Sequence, residues 1–343
     1  MDFFNIKTVW QAQNLPDGLS LNNGVISGVP TVKGTFDVPV TVSNELGSCT
    51  QIVRIIAKGK NDCTIVKTGS DPETLSYSEL RASVQDGTAQ SKYNCSSTQM
   101  LIDIIHPATG AVISNVPLNF CSFRNVTLEN GTTKAALILQ FANTLWKGFA
   151  PFGTNGFNRW KYSQLRKWLN SSGTDWFTSS YIADTLTPHE GSYSDNGVKG
   201  FLSCLPSGLL EVLSPVKVVT QAFFDDNNTD TAIDDPDYVD DRDADLTYDT
   251  VFIPSLSEMG ITSNDNEYIS EGEFEGATWQ YYSALSGGAS PRLDLDGNTC
   301  SVISRSAYLD GTNKLLYVDA PRQASAGNVY NANSAPAPAF VIC

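Results

Sequence analysis

The residues best suited to chemistry in this sequence are carboxylates crowded into one short segment. Eleven Asp and a single Arg lie between Asp225 and Asp249, so this segment carries most of the formal net charge of -15. Clustered carboxylate and amide oxygens are the ligands that Ca²⁺ prefers, and Asp226, Asn228 and Asp230 have the alternating spacing of a calcium loop. The glycine and the terminal glutamate of such a loop are missing. We therefore predict a solvated acidic insertion at 225–249, with a calcium site as the alternative.

Two further groups of carboxylates invite a chemical interpretation. The run LDLDGN, Leu293–Asn298, could hold Ca²⁺, but Asp-Gly between strands is a hairpin signal, and a hairpin is favoured. Glu258 and Glu271 could act as the acid and base of a glycosidase. A structural role is favoured for them, in which a buried carboxylate pairs with Arg166 or Arg305.

Cysteine and histidine offer little support for catalysis. The seven cysteines form no CxxC pair, which favours free thiols in a protein made in a reducing cytosol. Cys300 and Cys343 lie near the C-terminal motifs discussed below. The two histidines, His106 and His189, have no motif around them and are interpreted as ordinary loop or surface residues.

Composition excludes several classes of partner. The chain has 343 residues, enough for two or three domains, with 22 basic and 37 acidic side chains. Nucleic acid and anionic membrane surfaces are disfavoured, because both are bound through clustered Lys and Arg. No apolar run is long enough to span a bilayer, and no secretory leader is visible after Met1.

Two short helices are predicted among many strands. Ser76 and Glu79 have the spacing of a capping box, which predicts a helix over SYSELRASVQDG. In the basic, aromatic stretch RWKYSQLRKWLN, Ser163 can cap a second helix, on which Trp168 and Leu169 share one apolar face. That face is predicted to be core, so this helix has a structural role rather than a chemical one.

The N-terminal segment consists of strand-like runs joined by Gly and Pro turns. FDVPVTVSN and CTQIVRIIAKG alternate apolar and polar residues, and LPDGL and NNG are turn signals. These patterns predict a small β-sandwich over 1–59, followed by a polar linker over 60–75. The segment also resembles the He_PIG-like immunoglobulin-like modules of bacteria and phages, in which the matching residues are architectural and a spacer role is expected. Those residues are Leu15, Pro16, Gly18, Leu19, Gly24, Ile26, Gly28, Pro30, Gly34, Asn44 and Gly47.

A series of motifs follows in the rest of the chain. W-x-x-S-x-LR-x-WLN, LSPVKVVTQ, YDTVFIPSLSEMG, ISEG, S-x-x-SRSA and PAFVI occur in that order. Together they resemble DUF6273-like and fibrobacter-type phage and bacterial proteins, a family associated with the C-type lectin-like fold and related to retroelement variable proteins and phage receptor-binding proteins. Ile303 and Ser304 replace a Trp of the family pattern, and Ala337 replaces an Arg, so no detail of a binding surface is carried over.

The resemblance implies an α+β fold. It combines an N-terminal immunoglobulin-like β-sandwich with a C-type lectin-like domain over 76–343, which has two short helices and many short antiparallel strands. It also implies a non-enzymatic virion protein, a head or tail fibre or a capsid decoration, which is made in the host cytoplasm and attaches to a host surface protein or glycan. A purely structural capsid or tail component shares every sequence feature. An enzyme of the sulfatase-modifying type is a further alternative, for which Cys300 and Cys343 would be the reactive pair.

The expected partners are other virion proteins and a host receptor, with no nucleic acid, no membrane insertion and no cofactor apart from the calcium alternative. A homotrimer would suit a fibre, although the sequence has no heptads to enforce one. The C-terminal third mixes Tyr, Asn, Ser and Gly, as adaptable binding loops do. An ordinary polar loop on a strand scaffold is the alternative of equal weight. The candidate ligand-binding residues are Trp279, Tyr281, Tyr282, Tyr308, Asn313, Arg322, Asn328, Tyr330, Asn331 and Asn333.

Overall fold

A computed structural model describes most of the chain. The described ranges are 7–59, 61–146, 160–173, 198–220, 245–261, 275–285, 291–307, 314–321, 323–328 and 334–343. They form mostly β-sheet with a few short helices. Among them, no helix is long and apolar enough to cross a membrane.

The strands of the described ranges, in chain order, are β1 Val9–Ala12, β2 Leu19–Asn22, β3 Val25–Gly28, β4 Gly34–Asn44, β5 Gly47–Ala57, β6 Asp62–Lys67, β7 Glu73–Ser76, β8 Thr98–Ile105, β9 Val112–Thr127, β10 Thr133–Phe141, β11 Val216–Thr220, β12 Asp245–Asp249, β13 Val251–Phe252, β14 Arg292–Leu293, β15 Thr299–Ala307, β16 Lys314–Ala320, β17 Gln323–Asn328, β18 Ser334–Ala335 and β19 Ala339–Ile342. The α-helices are α1 Tyr77–Gln85, α2 Thr88–Lys92, α3 Gln164–Leu169, α4 Ser207–Leu210 and α5 Gln280–Ala284. Two 3-10 helices, Trp160–Tyr162 and Phe201–Cys204, complete the set.

The N-terminal module contains a three-stranded sheet of order β1-β4-β5 and the hairpin β2-β3. Within residues 7–59, the buried hydrophobic side chains of this module are Val38, Val40 and Ala57. With so small a core, the conformation of the turns contributes to the fold of the module. Gly18 has a φ of +90°, and a Cβ there would lie 2.1 Å from the carbonyl oxygen of Val29. The LPDGL turn therefore requires glycine at this position.

The main sheet has seven strands in the order β13-β19-β10-β9-β8-β6-β7. Its centre is the antiparallel meander of β8, β9 and β10, and the C-terminal strand β19 pairs with β10 and with β13. Phe340, Val341 and Ile342 on β19 are fully or almost fully buried. The PAFVI motif is thus an interior strand of the sheet and contributes to the hydrophobic core.

The predicted linker over 60–75 is wrong. Strands β6 and β7 lie in this range and pair with each other, and β6 also pairs with β8. The reason is burial, since the Cys63 and Ile65 side chains are inaccessible to solvent. The polar residues at Lys58–Asp62 indicated a linker, but the short run that follows them forms β6.

Helix α1 follows the predicted pattern. The Ser76 hydroxyl accepts a hydrogen bond from the backbone N–H of Glu79, and the Glu79 carboxylate accepts one from the backbone N–H of Ser76, which completes a capping box. The buried side chains Tyr77, Leu80 and Val84 lie on one face. Besides α1 and α3, the described residues contain three short helices that were not expected, α2, α4 and α5.

The remaining described strands form a two-stranded antiparallel sheet of β11 and β12 and a sheet of order β14-β15-β16-β17, with β18 parallel to β15. Asp245 and Asp249, at the end of the predicted acidic insertion, are buried on β12. The prediction of a solvated segment is therefore wrong for 245–249. Asp226, Asn228 and Asp230, together with Glu271 and His189, lie outside the described residues.

The loop between β8 and β9 contains a histidine whose contacts favour its neutral form. His106 packs against Trp146, with the ring centroids 4.4 Å apart, and its Nδ1 accepts hydrogen bonds from the backbone N–H groups of Ala108 and Thr109, each 3.2 Å long. Burial lowers the pKa of His106. The neutral ring is consequently the folded form, because a proton on Nδ1 would break both hydrogen bonds.

The unfolded chain should therefore bind this proton more readily than the folded chain. The free energy of unfolding is then greatest above the ordinary histidine pKa of about 6.5 and falls as the pH drops below it. His106→Asn keeps a side-chain acceptor for the same amides but cannot titrate. Urea unfolding at about pH 5 and about pH 7 should show a smaller difference for this variant than for the wild type. An equal difference in the two proteins would contradict the assignment.

Candidate functional site

Helix α3 is tied to strand β12 through a buried carboxylate. Arg166 Nε donates to Asp249 Oδ1 over 2.6 Å, and Trp160 Nε1 donates to Asp249 Oδ2 over 2.9 Å. Thr247 Oγ1 donates to the same Oδ2 over 2.7 Å. Three donors therefore compensate the burial of Asp249. Arg166 pairs with this residue and not with Glu258, because the helix faces β12.

The last residue of the WLN motif fixes the strand that follows β12. Asn170 Oδ1 accepts from the backbone N–H groups of Thr250 and Val251, and Asn170 Nδ2 donates to the carbonyl of Val251 over 2.8 Å. Trp168 and Leu169 are fully buried beside it. The motif thus holds the YDTVF strand in place.

Arg305 lies at the centre of a second buried network. Its Nη1 donates to Glu258 Oε2 over 2.5 Å and to the carbonyl of Ile253 over 2.8 Å. Its Nη2 donates to the carbonyls of Val219 and Glu275. Only 1% of the Arg305 side chain is exposed. This guanidinium therefore joins β15 to β11, to the turn before Glu258 and to the segment that precedes α5.

The turn that carries Glu258 also positions helix α5. Ser255 and Glu258 bind each other reciprocally, backbone N–H to side chain in both directions, as in a capping box. The carbonyl of Glu258 then accepts from the backbone N–H of Trp279, and the carbonyl of Ser257 accepts from the Thr278 hydroxyl. The turn whose Glu258 neutralises Arg305 consequently also sets the orientation of α5.

Three of the predicted ligand-binding residues lie on helix α5 or directly before it, and two of them are wrongly expected at the surface. Trp279 has no exposed area, and Tyr282 is 4% exposed. Both rings face the core, where Trp279 contacts Phe252 and the Tyr282 hydroxyl donates to Gln140 Oε1. The composition of WQYYS suggested a loop, but its residues form a helix with one buried face. Tyr281 is half-buried and borders the groove described below.

One further predicted ligand-binding residue lies on a described strand. Asn328 ends strand β17, opposite Lys314. The following residues lie outside the described ranges: Tyr308, Asn313, Arg322, Tyr330, Asn331 and Asn333.

The face of the main sheet under α5 carries a row of side-chain amides. Gln99 on β8 is opposite Asn119 on β9, and Asn119 is opposite Gln140 on β10. Gln99 Nε2 donates to Asn119 Oδ1 over 2.9 Å. Gln140 Nε2 donates to the carbonyl of Ala337, while its Oε1 accepts from Tyr282 and from Arg292. The row therefore runs from a fully satisfied, buried end at Gln140 to a partly exposed end at Gln99.

A polar groove opens at the exposed end of this row. Its volume is about 430 Å³. Gln99 and Asn119 are among its lining residues, Tyr281 and Leu285 line it from α5 and its C-terminal end, and the segment 95–98 lines it from β8 and the preceding turn. Burial raises the pKa of the Tyr281 phenol, so its hydroxyl is a neutral donor and acceptor at ordinary pH.

A second cavity, of about 440 Å³, shares Cys95 with this groove and is lined by Tyr93, Asn94 and Gln280 among others. The Cys95 thiol donates to Gln280 Oε1 over 3.3 Å, and burial raises its pKa to about 11. A thiol with so high a pKa is a weak nucleophile. The polar surface beneath α5 thus extends over two adjoining cavities.

The remaining predicted sites have structural explanations. Asp294 Oδ1 accepts from the backbone N–H groups of Asp296 and Asn298, which closes the turn between β14 and β15. All seven cysteines are free, and Cys300 and Cys343 are buried. Within the described ranges, no group of three or more potential metal-ligating His, Cys, Asp or Glu side chains comes together.

Two family models match the chain. One, described as "Putative Ig domain", matches residues 4–57 and supports the immunoglobulin-like element predicted there. The other, described as "Domain of unknown function (DUF6273)", matches residues 152–343, more than half of the chain. Searches of curated proteins and of solved structures find no match.

The Arg305 network predicts a large effect of a single substitution. Glu258→Leu should lower the free energy of unfolding by about 3–5 kcal/mol, because it leaves a buried guanidinium without its carboxylate. Urea unfolding measures the change. The double variant Glu258→Leu with Arg305→Met should recover part of the loss, since it removes the unpaired charge as well.

Asp37→Leu is the matched control. This carboxylate pairs with Arg54 at an exposed site, where ion pairs contribute little. Its unfolding midpoint should stay close to that of the wild type. Equal losses for Glu258→Leu and Asp37→Leu would show that the buried pair does not organise the domain.

Proposed function

The chain belongs to the DUF6273 family, and we propose that it is a non-enzymatic virion protein that attaches a phage particle to the host cell surface. In this proposal it is a head or tail fibre or a capsid decoration, made in the host cytoplasm, whose partners are other virion proteins and a host surface protein or glycan. The immunoglobulin-like module is the spacer, and the region after it takes a C-type lectin-like fold and displays the binding surface.

The groove beneath α5 is the observation that carries this proposal. Hydroxyl and amide side chains line most of it, and one aromatic side chain, Tyr281, borders it. Its volume lies in the range of small-ligand sites, about 300–1,000 Å³. Neutral donors and acceptors beside an aromatic side chain suit recognition of a polar surface molecule. They do not by themselves supply an acid, a base or a nucleophile.

The contacts between the motifs support the proposal that they form one display domain. The WLN segment binds β12 and β13 through Arg166 and Asn170, and the SLSEMG turn binds the SRSA strand through Glu258 and Arg305. The order of modules gives further support, because an immunoglobulin-like spacer in front of a receptor-binding domain suits an attachment protein.

The proposal can be tested on particles made from the genome that encodes the chain. Antibodies against residues 1–343 should label purified particles in electron micrographs and should reduce their adsorption to host cells. Absence of the protein from purified particles would refute a virion role. Labelled particles whose adsorption is unaffected would favour the alternative, a purely structural capsid or tail component.

A second measurement separates the calcium alternative from the groove. Purified protein should bind host cells equally well with calcium and with a chelator present. Binding that requires calcium would instead direct attention to the acidic segment that contains Asp226, Asn228 and Asp230.

A further inference from the structure

We propose that the groove under α5 is a calcium-independent saccharide site that accepts one or two sugar rings. This inference rests on the proposed attachment function and deepens it, because it names the site and the chemical class of the ligand. It also moves the site away from the C-terminal loops, where composition had placed it. Three features of the groove carry the argument.

The first feature is the supply of neutral hydrogen-bonding groups. Seven of the eleven lining residues carry a hydroxyl or an amide, and a single one, Lys67, carries a charge. Sugar hydroxyls both donate and accept, and so do amide and hydroxyl side chains. A phosphate site would need several cations or a cluster of backbone N–H groups, and a lipid site would need a mostly apolar lining.

The second feature is the rigidity of the amides. Asn119 is 3% exposed, and its Oδ1 is already occupied by Gln99 Nε2. The row continues to Gln140, which is fixed by Tyr282, Arg292 and the carbonyl of Ala337. Because the buried end cannot rotate, the row holds its exposed members in place before a ligand arrives. Such pre-organisation reduces the entropic cost of binding.

The third feature is the aromatic side of the groove. Tyr281 packs edge-on against Tyr282, with the ring centroids 5.2 Å apart, and Tyr282 is buried and hydrogen-bonded. The Tyr281 ring is therefore held by the core while the residue borders the groove. An aromatic side chain held in this way offers contact area to the apolar face of a sugar at a low cost in conformational entropy.

Variants with small structural effects test the site. Gln99→Ala removes the exposed amide of the row, and Ser97→Trp places a large side chain at an exposed position in the lining. Matched controls lie on the exposed strand β5, where Gln51→Ala and Ser48→Trp make the same changes away from the groove. Unfolding midpoints close to that of the wild type show that each variant is folded.

Binding of the full chain is measured on a glycan array and then by titration with the best glycan, in the presence of a chelator. Gln99→Ala should weaken binding about tenfold, the equivalent of one hydrogen bond of about 1.4 kcal/mol. Ser97→Trp should abolish binding, and the two controls should match the wild type. Mild periodate treatment of host cells, which cleaves vicinal diols of sugars, should remove cell binding.

Each of the other outcomes would overturn the saccharide site, and each would have its own consequence for the proposed attachment function. Glycan binding that both groove variants retain would place the site elsewhere and leave host attachment intact. Cell binding that survives periodate, with no glycan bound on the array, would identify a protein receptor instead. Glycan binding lost in the chelator would refute independence from calcium. Absence of both cell and glycan binding would reject the saccharide site together with the attachment role.

Discussion

The fold of the C-terminal region depends on the burial of one guanidinium. Arg305 is removed from water in a chain whose net charge is strongly negative, and four acceptors on three separate segments must meet around it. A buried cation is tolerated only when its donors are nearly all used. The need to pair Arg305 therefore brings three segments together. They are the turn at Ser255–Met259, strand β11 and the residue that precedes Gly276. Gly276 allows this approach, because a Cβ there would lie 3.0 Å from Glu258 Oε1.

The groove follows from that requirement. The turn that neutralises Arg305 also accepts the hydrogen bonds that orient α5, and α5 presents Tyr282 to the amide row and Tyr281 to the groove. Asp249 has a similar role in the other buried network, because it accepts a hydrogen bond from Arg166 and so binds α3 to β12. The rigidity of the candidate site thus comes from charged groups that lie outside it. Apart from Lys67, the side chains that line it are neutral.

Parts of this arrangement follow from local sequence, and other parts do not. The capping box at Ser76 and the apolar face of Trp168 and Leu169 are local patterns of spacing, and the structure contains both. The amide row has no such signal, because Gln99, Asn119 and Gln140 are about twenty residues apart and meet only through strand register. Composition placed Trp279 and Tyr282 at the surface, since it carries no information about which face of a helix is buried.

The groove also shows how far the functional unit extends. Its floor belongs to β8 and β9, which precede residues 152–343, whereas Tyr281 and Leu285 lie within that range. The sheet shows the same dependence, since β19 from the C-terminus pairs with β10. Residues 152–343 alone would leave the edge of β19 and the apolar side chains of Phe340 and Ile342 without their partners on β10. The strands from β6 to β10 are therefore part of the same folding unit as the matched region, and the candidate site exists only where the two parts of the chain meet.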